Sequence, residues 1–488
     1  MVRLSAGNGR LFCRGISSFR AKNCLAESRD FLKDASKRTG TTPVRAIYNI
    51  LYAIFFALSS PYYFQRMRRR GHWRRGFLQR LGKFDVKVKQ ALTNRHVLWM
   101  HAVSVGEMNV CVELIRALEP RLPNIKIVVS TTTTTGMGEL QKKLSARVSK
   151  IYYPLDFSSS VRRALATIHP DAIVLVEAEI WPNFIWRARQ RGIPLFLVNG
   201  RLSDRSYPRY KRFDFLFRNL FASFTAVGAQ NEAAANRLRQ VGCPAERVQV
   251  LGNLKFDTAK LNADKSLDVP ALLARLGVPG DALVWVAGST HEGEEDLLAE
   301  LFLRLRASFP RLFLVIVPRH FERSKEVARQ LGQRGIKWFY RTEITPETRL
   351  APGSVECLLV DTTGELMSFY ERAGVAFVGK SLAAHGGQNP IEPAALGKAT
   401  VFGPNMENFG DVARIFVARD AAVQVRDKAE LEKVMADLLA NEARREELGR
   451  NARQVVLENV GAIDRTVDLI IRHFEGGEFY IVPRKTDA

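Results

Sequence analysis

From about residue 96 the chain alternates short apolar runs with segments of helical period, and this rhythm narrows its possible folds more than any other feature. "HVLWMHAV", "KIVVSTT", "AIVLVEAE" and "PLFLVNG" form a first series, each followed by a loop bearing glycine, serine or proline. Apolar runs without in–out alternation fit strands buried on both faces of a parallel sheet under covering helices. After Lys255 the pattern lapses through the charged stretch "DTAKLNADKSLDVPALLARLG". It restarts with "LVWVAGST", "LFLVIVPRH", "KWFYRT", "ECLLVDTTG", "VAFVGKS" and "ATVFGP". Two βα series joined by a polar linker predict an α/β protein of two doubly wound, Rossmann-like domains facing across a cleft. Their expected bounds are 67–262 and 263–480, with the last helix packing back on the first domain. Ligands in such sheets bind beyond the carboxyl ends of the strands, so the loops there are where chemistry is sought.

The 488 residues are enough for two such cores, and 46% apolar with 25% charged residues describes a globular protein. Five scattered cysteines, Cys13, Cys24, Cys111, Cys243 and Cys357, make neither a disulfide framework nor a zinc site and fit a reducing compartment. The net charge of +23 favours an anionic partner: nucleic acid, an anionic membrane face or phosphorylated substrates. The charge is unevenly placed. Residues 66–83, "RMRRRGHWRRGFLQRLGK", hold eight Lys or Arg and no acid, directly after the uncharged "AIYNILYAIFFALSSPYYF" from Ala46 to Phe64. As a helix those nineteen residues would reach about 28 Å, close to a bilayer core. Residues 44–66 are therefore read as a membrane anchor, either a single span or a helix in the interface plane, with a buried core helix as the alternative; if it spans, the basic flank sets the main body on the cytoplasmic side. Residues 1–43 are a basic extension to which no role is assigned.

Several strand ends carry groups able to do chemistry. In "HAVSVGEMNV", Ser104 and Gly106 suit a tight turn and Glu107 opens the next helix, where the helix dipole favours a carboxylate. An ordinary helix cap and a general base aimed into the cleft both fit this placement. "VLVEAEIWPN" sets Glu177 and Glu179 on one face if the strand stays extended, as a salt-bridged pair or as site acids. Arg201 begins the basic loop "NGRLSDRSYPRYKRF", suited to phosphate or merely solvated. Lys255 in "GNLKFD" follows a short strand at the domain boundary. Pro318, Arg319 and His320 end another strand, with Arg319 suited to a phosphate or base and His320 to a loop hydrogen bond. Thr363, Gly364 and Glu365 form a strand–turn–helix nest for an anion. "HGGQNPIEPAALGKATVFGP" combines Gly386 and Gly387, the Asn389–Pro390 turn and Glu392 at a helix start. No phosphate-binding GxxxxGK[ST] loop, HExxH, GxSxG or Cys/His metal cluster occurs, and His291 with Glu292 makes a poor metal pair.

In order, "HAVSVGE", "VEAEIWPN", "GNLKFD", "VPRH", "TTGEL" and "GGQNPIEPAA" resemble the motifs of the 3-deoxy-D-manno-octulosonic acid (Kdo) transferases, glycosyltransferase family 30. The resemblance runs from about residue 48 to the end of the chain, so the first 45 or so residues have no counterpart. Ala178 stands where family members usually carry Thr. The resemblance implies a GT-B fold and inverting, metal-independent transfer of Kdo from CMP-Kdo to a lipid A precursor at the inner membrane, with no cofactor and no obligatory protein partner. The first domain would then serve the acceptor and the second CMP-Kdo. By motif position Glu107 matches the general base, and Glu177 and Lys255 match groups that stabilise the transition state. Pro318 and Arg319, Thr363 to Glu365, and Asn389, Pro390, Ile391 and Glu392 match segments that hold CMP. Ser104, Gly106, Glu179, Arg201, Gly386 and Gly387 are further expected contacts, the two glycines letting the backbone approach the donor. Glu392 is expected to accept the ribose hydroxyls. A UDP-sugar enzyme of the same architecture, including a 2-epimerase, is the competing reading. A nucleic-acid-binding protein is the reading from another class, disfavoured because the strongest basic run abuts a membrane segment.

Overall fold

A computed structural model of the chain describes residues 42–69, 76–177, 179–204, 206–258, 267–475, 479 and 481–483. Almost all of the extension 1–43, part of the basic run 66–83, Ala178 and part of the linker lie outside the described residues.

The two apolar series form two parallel sheets. The first contains β1 (His96–His101), β2 (Ile125–Thr131), β3 (Ser149–Tyr152), β4 (Ala172–Val176), β5 (Leu195–Gly200), β6 (Ala226–Ala229) and β7 (Val248–Val250), in the order β3-β2-β1-β4-β5-β6-β7. The second contains β8 (Leu283–Thr290), β9 (Leu312–Pro318), β10 (Trp338–Tyr340), β11 (Cys357–Leu359), β12 (Val375–Val378), β13 (Ala399–Phe402) and β14 (Val423–Gln424), in the order β10-β11-β9-β8-β12-β13-β14. Both are doubly wound, and their strand order reverses between β1 and β4 and between β8 and β12. Those two switch points are where sheets of this kind open a crevice.

Helices cover both faces of each sheet. Trp99, Phe184 and Phe221 belong to the core on one face of the first sheet, and Met100, Met108 and Val198 to the other. The latter core also takes Ala462, Ile463, Val467 and Ile470 of the helix Ala462–Ile471, so the chain ends by returning to its first domain. The return is capped from the crossing segment. Asp257 accepts the N–H groups of Gly461 at 2.6 Å and Ile463 at 2.7 Å, satisfying donors that a helix start leaves open. One residue earlier, fully buried Phe256 packs among Val378, Ile391, Phe402 and Phe416 of the second domain.

Two expectations need correction. "AIVLVEAE" is the fourth strand in the chain, not the third, because "SKIY" forms β3. It also stops at Val176, for Glu177 adopts φ 61° and the strand does not stay extended.

The apolar N-terminal segment is a helix, Thr42–Arg69, that continues through Pro61. Residues Pro43–Tyr62 are long and apolar enough to cross a membrane by length and composition. One side docks on the first domain. Tyr48 Oη donates to Asp156 Oδ2 at 2.8 Å, Asn183 Nδ2 donates to Asn49 Oδ1 at 2.7 Å, and Tyr52 and Phe56 meet Phe157 edge-on. The other side exposes Ile47, Ile50, Leu51, Ile54, Phe55 and Leu58, spaced three and four apart as one helical stripe.

Candidate active site

Among the described residues seven non-glycines have positive φ, and four of them, Glu177, Asn199, Ser289 and Lys380, lie at or just past the carboxyl ends of β4, β5, β8 and β12. Each such residue costs about 1–3 kcal/mol and persists where the surroundings over-determine it. The strain therefore gathers around the two switch points.

On the first domain's side, "SVGE" makes a helix start in which the serine and glutamate side chains bond each other. Ser104 Oγ accepts the N–H of Glu107 and donates to its Oε1 at 2.8 Å, while Val103 N–H donates to Oε2 at 2.8 Å. This is a variant of the capping box in which the glutamate accepts the N–H of the residue before the cap. The same carboxylate is buried, and burial followed by the neighbouring Glu177 charge raises its pKa above the ordinary range against those hydrogen bonds. Two accepted bonds leave lone-pair capacity on each oxygen, so cap and base are compatible roles. Gly106 is exposed beside it.

Glu177 faces two cations. Arg201 Nε lies 3.4 Å from its Oε2 and Lys255 Nζ 3.7 Å from its Oε1. The φ reversal separates it from Glu179, whose carboxylate instead accepts Trp181 Nε1 at 3.0 Å. Burial, then the charge of Glu107, pushes Glu179 up to about 7. The two acids are therefore not extended neighbours, and of the expected salt bridges the described residues show those of Glu177 alone. Arg201 is not a free phosphate ligand: besides Glu177 it donates to Asp411 of the second domain at 2.5 Å. Lys255 is buried, and its Nζ donates to the Asn408 carbonyl at 2.8 Å, again across the domains. Burial lowers its pKa, opposed by Glu177.

On the second domain's side, Pro318 ends β9 and Arg319 N–H bonds the Thr290 carbonyl at 3.0 Å, placing the exposed Arg319 side chain beside the end of β8. His320 makes a ring contact with His291, at 5.7 Å between centroids, and among the described residues its ring has no hydrogen bond of the expected kind. Glu365 caps the helix Leu366–Arg372, but its carboxylate is taken by Arg341 and by the Thr362 hydroxyl. What this turn offers a ligand is the exposed backbone of Thr363 and Gly364.

The loop 385–392 is built as its composition suggests. Gly386 and Gly387 have φ 120° and 68°, and a Cβ at Gly387 would stand 2.6 Å from Met406 Sδ. No larger residue fits there without displacement. Asn389 Oδ1 accepts the N–H of Ile391, and Pro390 precedes the helix Ile391–Ala395. Glu392 Oε1 accepts Asn389 Nδ2 at 3.1 Å. Burial raises the pKa of Glu392, opposed by that bond and by Arg319.

The residues singled out in sequence thus fall into two groups on facing strand ends, Glu107, Glu177, Glu179, Arg201 and Lys255 on one and Arg319, Gly386, Gly387 and Glu392 on the other. Several partners were not foreseen. Glu294, fully buried, accepts four backbone N–H groups, those of His291, Lys380, Ser381 and Leu382. It thereby ties the loop after β8 to the loop after β12. Its only signal was an acid following glycine at a helix start. Asp411 and Asn408 gave no signal, since one is a surface-type acid and the other acts through its main chain. Among the described residues no cluster of three His, Cys, Asp or Glu is arranged to hold a metal ion.

A family profile described as 3-deoxy-D-manno-octulosonic-acid transferase (kdotransferase) matches residues 74–258. The chain is 32% identical over 379 residues to the 3-deoxy-D-manno-octulosonic acid transferase of Haemophilus influenzae, covering 78% of this chain and 87% of that protein. It is 33% identical over 436 residues to the enzyme of the same name from Bordetella pertussis, covering 87% and 98%. Among solved structures it is similar to the UDP-GlcNAc 2-epimerase of Neisseria meningitidis bound to UDP-GlcNAc, with TM-score 0.53, 14% identity, and coverage of 77% of this chain and 100% of that one. At that identity the likeness concerns the two-domain fold alone. Two facing doubly wound domains, the ordered motifs at their strand ends and identity across most of both relatives lead to one conclusion: the chain belongs to the Kdo transferase family of GT-B glycosyltransferases.

Proposed function

We propose that this protein transfers Kdo from CMP-Kdo to a phosphorylated lipid A precursor, lipid IVA, in lipopolysaccharide biosynthesis. Transfer takes place at the cytoplasmic face of the bacterial inner membrane, with inversion and without a metal. The observation that carries the reading is the bond from Lys255 Nζ, which adjoins Glu177, to the carbonyl of Asn408, whose own N–H donates to Gly386 in the loop that would clamp the nucleotide.

The chemistry follows from these positions. Glu107, with its pKa raised by burial, takes the proton of an acceptor hydroxyl. The hydroxyl oxygen bonds the anomeric carbon from the face opposite CMP, and the bond from that carbon to the phosphate oxygen breaks with its electron pair leaving on CMP. Arg319 and the exposed backbone of Thr363 and Gly364 meet the phosphate, and Glu392 meets the ribose. Lys255, held beside Glu177, steadies charge that develops at the reacting centre. A phosphate monoester anion is a good leaving group, so these cations suffice without a Lewis acid. The helix Thr42–Arg69, docked on one side and apolar on the other, supports an in-plane anchor that presents the cleft to a lipid-borne acceptor. A nucleic-acid role finds no support in this placement of charge.

The test is incubation with CMP-Kdo and lipid IVA followed by mass spectrometry of the lipid. Added Kdo is expected, and the number of additions is read from the same spectrum. A wild-type protein that leaves the lipid unchanged, or that binds UDP more tightly than CMP, overturns the reading in favour of a UDP-sugar enzyme.

A further inference from the structure

Lys380 follows β12 at the switch point of the second sheet, with φ 59°. Its backbone is pinned: the N–H donates to Glu294 Oε2 at 2.7 Å, and the carbonyl accepts Gly387 N–H at 2.9 Å. Its side chain lies along the donor loop. A Cβ built on Gly386 would stand 3.4 Å from Lys380 Cε and 3.5 Å from Nζ. The residue is half-buried, yet among the described residues its ammonium has no ion pair or hydrogen bond. The nearby carboxylates are committed elsewhere: Glu294 to backbone N–H groups, and Glu407 to His385 and the Gly386 N–H. A half-buried cation without a counter-ion is costly unless a ligand supplies one.

Its place along the cleft identifies the ligand group. Arg319, whose guanidinium likewise has no hydrogen bond or ion pair among the described residues, lies on the nucleotide side, where its charge acts on Glu392 and on His291. His291 also feels Lys380, and burial together with these cations takes it down to about 4. On the other side of Lys380, the point occupied by a Cβ on Gly386 is 2.8 Å from Asn408 Nδ2. The Asn408 carbonyl receives Lys255 Nζ, which adjoins Glu177. Lys380 is thus flanked by His291, whose N–H shares Glu294 Oε2 with its own, and by Gly386, which adjoins Asn408 and through it Lys255. Lys380 stands between the nucleotide and the catalytic acids, where the sugar of the donor must lie.

We propose that Lys380 binds the carboxylate of the donor sugar and is the residue that selects an acidic sugar over a neutral one. This rests on the donor being CMP-Kdo, which carries two anionic groups, a phosphate for Arg319 and a sugar carboxylate for Lys380. The carboxylate sits on the anomeric carbon, so its capture also fixes that carbon against the attacking hydroxyl.

The experiment compares wild type, Lys380→Met and Lys380→Arg in the full-length protein. It measures KM and kcat for CMP-Kdo and, by calorimetry, Kd for CMP, which has the phosphate and no sugar. The proposal expects Lys380→Met to raise KM for CMP-Kdo tenfold or more, leave Kd for CMP within twofold, and be partly rescued by arginine. Retained CMP affinity also reports that the variant is folded. Equal weakening of CMP and CMP-Kdo would move Lys380 to the phosphate and overturn the assignment, as would an unchanged KM. Failure of the wild type to use CMP-Kdo at all defeats the functional reading and this assignment with it, whereas an unchanged KM in an active enzyme defeats only the role of Lys380.

Discussion

Lys255 Nζ donates to the carbonyl of Asn408 at 2.8 Å and lies 3.7 Å from Glu177 Oε1. One ammonium thus joins an acid of the first domain to the turn at Asn408 in the second, whose N–H donates to the Gly386 carbonyl of the donor loop at 2.8 Å. The next two residues extend the crossing, Phe256 entering the second domain's core and Asp257 capping the helix that returns to the first. "KFD" is the joint of the molecule, and its first residue reaches the site.

Replacing Lys255 by methionine keeps the aliphatic stem, removes the charge and leaves Glu177 to Arg201 alone. We expect kcat to fall by about 100-fold or more, the scale of losing one preorganised electrostatic group. CMP affinity should change by less than about threefold, because no contact assigned to the nucleotide is touched. Steady-state kinetics alongside CMP calorimetry tests this, and near-wild-type kcat would remove Lys255 from the reacting centre.

The pH profile carries a second expectation. Transfer needs Glu107 deprotonated, so kcat/KM rises with pH through its pKa, which burial and then the Glu177 charge hold above the ordinary carboxylate range. In Glu177→Gln the repulsive charge is gone, the ionised form of Glu107 is favoured, and the acidic limb moves to lower pH even as the maximal rate drops. A limb that stays put in this variant, or moves up, means the limb is not set by Glu107. In the companion Glu107→Gln variant, transfer should be abolished with CMP binding retained.

Much of this architecture was legible because parallel strands buried on both faces are continuously apolar, as "IVLV" and "FLVIV" are, and turn residues bound each run. The strands "SKIY", "AVGA" and the two-residue β14 escaped because a polar start, a glycine or sheer brevity breaks up their apolar runs. At the site, "SVGE" was readable since a capping box is local, whether or not its glutamate also does chemistry. The left-handed turn at Glu177 was not, because nothing in "VEAE" requires it and the constraint comes from Arg201 and Lys255. Partners 210 and 153 residues apart, Arg201 with Asp411 and Lys255 with Asn408, leave no mark on either local sequence.

The Arg201–Asp411 pair is a direct tie between the domains, and Arg201 also reaches Glu177. A double-mutant cycle with Arg201→Met and Asp411→Asn should give a coupling in kcat/KM of about 1–3 kcal/mol, since the groups are in contact and partly desolvated. Asp411→Asn alone should lower kcat more than it weakens CMP binding, by leaving Arg201 to pull on Glu177 unopposed. Additive effects in the cycle would show that the ion pair is a bystander.

The apolar stripe of the N-terminal helix predicts where lipid contact lies. Leu58 is 79% exposed and Phe55 61%, while Tyr48 on the opposite side is bonded to Asp156. Phe55→Glu combined with Leu58→Glu should cut co-sedimentation with anionic vesicles at least about tenfold, as two buried apolar side chains at about 1.5–3 kcal/mol each are lost. Transfer to a water-soluble acceptor fragment should persist. Tyr48→Phe should cost about 1 kcal/mol of docking, one net hydrogen bond, with vesicle binding largely kept. Undiminished vesicle binding by the double variant would falsify the assignment of this face to lipid.

Glu294 supports the last prediction. Its side chain is wholly buried, with Oε1 accepting from Ser381 and Leu382 N–H at 2.9 and 3.0 Å and Oε2 from Lys380 and His291 N–H at 2.7 and 3.0 Å. Glutamine has nearly the same shape but presents an NH2 group to one of these donor pairs, so two buried N–H groups lose their acceptor and face a third donor. The expected cost is about 3 kcal/mol or more. For a domain of this size that corresponds to a Tm roughly 6–12 °C lower in calorimetry. Because the same bonds set the loops bearing His291 and Lys380, affinity for CMP-Kdo should fall further than affinity for CMP. A Glu294→Gln protein that melts with the wild type and binds the donor equally well would show that the two loops hold their positions without it.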